Sequence, residues 1–162
     1  MLAQLCLDGQ DAYIELVEKA LASTDDPWTA YVQWLRDIVA ADMHAMTVHL
    51  AGHFTPDERH AARTDRMIMG TIELFERVQK TGVLRPGLTF LDVAFLLELL
   101  AKTQLGDTAR TAELRQRQLA IIIDGLRFPG AAELPGTPPS WQEQVSRWTP
   151  GSDRQSQRAK VE

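Results

Sequence analysis

Between Phe90 and Leu100 the chain carries only two charges, Asp92 and Glu98, among five leucines, Val93, Ala94 and two phenylalanines. A helix that is apolar over most of its circumference cannot lie on the surface of a small monomer. It is wrapped by its own chain, or one face of it meets a second chain. The residues just before it prescribe its start. Gly82 suits the left-handed conformation that ends a preceding helix, and Val83 covers that end. Pro86 and Gly87 carry a turn. Thr89 then caps the new helix, with Asp92 three residues on as the acidic partner of a capping box.

The remaining segments read as helices of ordinary amphipathic type. A first helix spans Leu2 to about Ala22, weakened in its first half by Gly9. Asp26 caps a second, with Pro27 in its first turn. Trp28, Tyr31, Val32, Leu35, Ile38, Val39, Met43 and Met46 form its stripe, and Trp34 flanks it. Thr55, Pro56 and Glu58 predict the start of a third helix that runs to about Lys80. Gly70 inside it marks a close helix contact or a ligand approach. After a loop at 103–107, Asp107 or Thr108 caps a last long helix ending near Arg127, with Arg110, Arg115 and Arg117 expected on the wet side. Phe128-Pro129-Gly130 stops it. No alternating strand pattern occurs, so the fold class is all-α, a bundle of five to six helices.

Beyond residue 128 the composition turns to Pro, Gly and polar residues. The expected division is therefore a domain over 1–128 and a Pro/Gly-rich, partly disordered tail over 129–162. Within that tail Trp141, Val145 and Trp148 fall at helical spacing. A short apolar contact laid on the helical body is the expectation; a docking element for a partner is the alternative.

Several function classes drop out. With 17 basic residues scattered among 22 acidic ones and a net charge of −5, the chain has no broad nucleic-acid surface of its own. No apolar run reaches the length of a membrane span, so no membrane is expected as a partner. The one cysteine, Cys6, rules out an internal disulfide framework and fits a reducing, cytoplasmic setting. Phosphate-loop, dinucleotide, nucleophile-elbow and zinc-protease motifs are all missing. Four histidines, His44, His49, His53 and His60, cluster in sequence, and His49 and His53 stand at i, i+4. No acidic residue lies between His44 and Thr55, so neither a metal site nor any cofactor is expected. The carboxylates sit mostly at caps or beside arginines at helical spacing, as with Glu73 and Arg77, and nominate no acid–base pair. An enzyme is not expected.

The stretch from Gly82 to Val93 (Gly-Val-Leu-Arg-Pro-Gly-Leu-Thr-Phe-Leu-Asp-Val) resembles the G-x-L-R-x-D-(V/L)-(T/S)-x-x-D-(L/V) segment of the regulatory domains of TetR-family bacterial transcription regulators. Asp124-Gly125-Leu126-Arg127 at the end of the last helix and Asp25-Asp26-Pro27-Trp28 at the start of the second are similar to that family too. Gly87 departs from it where an acidic residue is usual. The resemblance implies a homodimer in which the last two helices, Thr89–Gln104 and Thr108–Arg127, pair with their twofold mates as a four-helix bundle. For that interface it points to Leu96, Leu100, Leu119, Ile122, Ile123 and Leu126. It also implies a pocket for a small apolar effector, with Trp34, Ile38, Met43, His49, His53, Met67, Thr71, Phe75, Phe95 and Leu99 as candidate contacts. The family's helix-turn-helix module has no counterpart in these residues. Operator DNA is thus expected as a partner only through that module, and the chain alone should not bind it.

Overall fold

In a computed structural model the described residues are 2–44, 57–127 and 132–146, and all regular structure among them is helical. The helices are α1 (Leu2–Leu21), α2 (Pro27–Ala40), α3 (Glu58–Gln79), α4 (Phe90–Lys102), α5 (Thr108–Leu126) and α6 (Trp141–Ser146). None of them is long and apolar enough to cross a membrane.

Capping chemistry fixes where the helices begin. The Asp26 carboxylate accepts from the backbone N–H groups of Trp28 and Thr29, both at 3.1 Å, and Pro27 needs no N–H partner. Thr89 and Asp92 form the expected reciprocal box: Asp92 N–H donates to Thr89 Oγ1 at 3.3 Å, and Thr89 N–H to Asp92 Oδ2 at 2.8 Å. Asp107, rather than Thr108, caps α5 through the N–H of Arg110 at 2.8 Å. The third helix starts later than its Thr-Pro-x-Glu signal predicts. Asp57 is its cap, accepting from Arg59 N–H at 3.0 Å and His60 N–H at 3.2 Å, while Thr55 and Pro56 lie outside the described residues. A carboxylate is a stronger acceptor for two N–H groups than a hydroxyl is, and Arg59 beside it holds the Asp57 carboxyl well below the usual range.

Helix α2 ends sooner than its stripe predicts. Asp42 adopts a positive φ of 52°, which breaks the helix before Met43 and His44. Gly9 leaves α1 unbroken.

The core gathers around α2. Tyr31, Leu35 and Ile38 are enclosed by Val17 from α1, Leu74, Phe75 and Val78 from α3, Val93, Leu97 and Leu100 from α4, and Leu119, Ile123 and Leu126 from α5. Helix α1 lies along α3, and Val17 is seated against Gly70. A Cβ there would stand 2.4 Å from Val17 Cγ1, so the glycine is a packing requirement and not a ligand approach. Ion pairs line the same seam: Arg63 grips both Asp11 oxygens, at 2.7 and 3.1 Å, and Arg66 meets Glu18.

Arg115 departs from its expected place in solvent. It is buried, donates to the carbonyls of Ala101 at 2.6 Å and Thr103 at 3.1 Å, and pairs with Asp42 at 2.7 Å. The guanidinium thereby serves the C-terminal carbonyls of α4, which have no partners within the helix.

Candidate functional site

The N-terminal halves of α1 and α3 are tied to each other, but the first turns of α4 stand off from them. They surround a cavity of about 450 Å³. Small side chains make the room: Gly9 on α1, Ala61 on α3 and Ala94 on α4 all face it. Met67, Ile68, Phe90 and Leu91 add apolar wall, and Met43 and His44 contribute from beyond the end of α2. Trp141, Gln144 and Val145 of α6 complete the lining.

Polar groups on this wall are few, and most are already engaged. The Thr71 hydroxyl donates to the Met67 carbonyl at 2.8 Å, so its oxygen accepts from the Tyr13 hydroxyl, 3.1 Å away. Burial pushes the Tyr13 phenol up to about 12, and it stays protonated at neutral pH. Gln10 donates from Nε2 to the His60 carbonyl at 3.2 Å and to Thr64 Oγ1 at 2.9 Å, tying α1 to α3 at the cavity edge. Burial pushes His44 down to about 4, against the opposing pull of Glu98 and Asp42. Its imidazole is therefore neutral at pH 7 and stands edge-on to Tyr13, ring centroids 6.3 Å apart. Among the described residues two carboxylates line the cavity, buried Glu98 and exposed Asp65, and no lysine or arginine does. Among the described residues no three His, Cys, Asp or Glu side chains are grouped as a metal would need.

The residues anticipated as effector contacts are distributed unevenly. Met43, Met67 and Thr71 stand on the cavity wall. Trp34 is buried one layer behind it, edge-on to Tyr13 at 6.1 Å and stacked at a tilt on Tyr31 at 5.4 Å. Ile38 and Phe75 belong to the core cluster. Phe95 is half-buried away from the lining, and Leu99 is 61% exposed. His49 and His53 lie outside the described residues. Of the anticipated interface residues, Leu100, Leu119, Ile123 and Leu126 are buried in the protomer's own core, while Leu96 and Ile122 are half-buried. The large apolar side chains most open to solvent on α4 and α5 are Leu99 and Ile121, the latter 68% exposed.

Sequence reasoning passed over Gln10, Tyr13, His44, Ala94 and Glu98 as cavity residues. Glu98 had a signal, an acid inside the most apolar run of the chain. Gln10 and Tyr13 had none, because their helix reads as an ordinary amphipathic one.

Residues 26–128 match the family model described as the transcriptional regulator SbtR-like C-terminal domain. The chain belongs to the TetR family of transcription regulators and carries this SbtR-like C-terminal domain. A comparison with curated proteins finds no match.

Proposed function

We propose that residues 1–128 are the effector-binding and dimerisation domain of a TetR-like bacterial transcription regulator, followed by a tail over 129–162. The observation that carries this reading is the apolar cavity of about 450 Å³ enclosed largely by that domain, a size suited to a small-molecule ligand. The effector is small and apolar, and it is neutral or cationic. An anionic ligand would enter a wall that, among the described residues, offers Asp65 and Glu98 but no fixed positive charge. Contact with operator DNA belongs, in this reading, to a helix-turn-helix module outside these residues.

Pairing falls to α4 and α5. Leu99 and Ile121 present the apolar surface, Leu96 and Ile122 stand half-buried beside them, and buried Leu100, Leu119, Ile123 and Leu126 hold the two helices from beneath. Exposed side chains of this size favour an interface over open water by roughly 1.5–3 kcal/mol each.

Two measurements test the reading. The neutral fluorescent probe N-phenyl-1-naphthylamine should bind, and Ala94→Leu, which fills the cavity, should weaken that binding about tenfold with little change in Tm. A domain that binds no neutral apolar compound would instead be a structural dimerisation module. Light scattering should give a dimer mass for the unaltered chain and a monomer mass for Leu99→Glu or Ile121→Glu; a persistent dimer in both variants would place the interface elsewhere.

A further inference from the structure

Helix α6 lies beyond the residues matched by the family domain, yet it supplies a wall of the cavity. It has a start of its own. Ser140 and Glu143 cap it reciprocally, with Glu143 N–H donating to Ser140 Oγ at 3.2 Å and Ser140 N–H to Glu143 Oε2 at 2.7 Å. Six residues cannot hold a helix without support from elsewhere. Among the described residues that support is slight, because the helix–helix packing that builds the body runs chiefly among α1 to α5. The approach to it is steered. Arg85 Nη2 donates to the Ala132 carbonyl at 3.1 Å, Leu134 packs on the core, and Pro135, Gly136, Pro138 and Pro139 carry the chain to the cavity.

Trp141, Gln144 and Val145, at i, i+3 and i+4, put one face of α6 on the cavity. Trp141 and Val145 are each 46% exposed even so. Both line the cavity, and an apolar ligand there would cover them. The other walls are long helices anchored in the core, so α6 is the wall that yields at least cost.

We propose that α6 is a detachable wall of the effector cavity, which swings away to admit the ligand and then closes Trp141 and Val145 onto it. The segment appended to the family domain thus sets both affinity and exchange rate. This rests on the cavity being the effector site, and the test separates the two ideas.

Cys6 makes that possible. It is the sole cysteine, and it lies on the cavity wall. Its alkylation by neutral monobromobimane reports access to the cavity without any effector. In the full chain, Trp141→Ala and Val145→Asp should raise the alkylation rate about tenfold. Both should weaken N-phenyl-1-naphthylamine binding about tenfold, mainly through faster release. Met69→Ala, at a side chain 71% exposed and off the cavity wall, should change neither. Alkylation and probe affinity that stay unchanged in both α6 variants, with the probe still bound, overturn the detachable wall and leave the effector reading standing. Faster alkylation in both variants of a protein that never binds the probe supports the wall and counts against the effector reading.

Discussion

Helices α1 and α3 behave as two different structures along their lengths. Toward their C-terminal ends they are pressed together, with Val17 seated against Gly70 and with Leu74, Phe75 and Val78 buried against α2. Toward their N-terminal ends the same two helices stay tied, through Gln10, Thr64 and the Arg63–Asp11 pair, but the face they turn to α4 is left uncovered around the cavity. Side-chain size explains the division. Where a large residue faces a glycine the helices close; where Gly9 and Ala61 face a third helix that offers Ala94, space is left over. One half supplies stability and the other supplies room.

The sharpest way to break that contrast is to remove the same kind of side chain from each half. Leu35 has no exposed surface, and Leu35→Ala should cost about 4 kcal/mol by the lost burial and the cavity it leaves. Ile68→Ala, which enlarges a space already present, should cost about 1 kcal/mol. Denaturant unfolding of the two variants compares them directly, and equal losses would mean that the cavity half is packed as tightly as the core.

Acid should attack the open half first. His44 titrates near 4 in the folded protein against an ordinary value of 6.5, so the unfolded chain takes up its proton first as the pH falls. Its contribution to stability is complete above about pH 6.5 and is lost between there and pH 4, on the order of 3 kcal/mol in all. Unfolding curves between pH 7 and pH 4 should steepen accordingly, and His44→Gln should flatten that window. A slope that the variant leaves unchanged would assign the loss to other groups.

A smaller effect than the losses at Leu35 and His44 is expected where α1 and α3 are pressed together. Gly70→Ala gains helix propensity but drives a methyl group into Val17, which is buried and stiff at χ1. A net loss of about 2 kcal/mol is expected. A stabilised Gly70→Ala protein would show that the crossing has slack.

Much of the helical framework was legible in the sequence, because its signals are local. Asp26-Pro27, the Thr89–Asp92 box and the stripe of α2 each act within one or two turns. Gly70 stood out as a costly residue in a helix, and the contact with Val17 gives the reason. What was hidden depends on partners distant in sequence. Arg115 looked like any arginine on a wet face until the end of α4 brought it two carbonyls. Trp34 looked like a flank residue because nothing in α2 itself shows that Tyr13 covers it. The cavity was the least legible part, since a space has no residue of its own. It arises where small residues on three separate helices coincide. In the tail, the helical spacing of Trp141 and Val145 gave the expectation of a short apolar contact on the body, but nothing in that spacing says that the contact falls at the cavity; Trp148 lies outside the described residues.

The ties between α1 and α3 run along the pair, from Gln10 on His60 and Thr64 and Asp11 on Arg63 to Val17 on Gly70 and Arg77 on the Leu21 carbonyl. Two helices held in this way form one plate on their side of the cavity. A change in its volume therefore falls to the walls facing them, α4, the residues beyond α2, and α6.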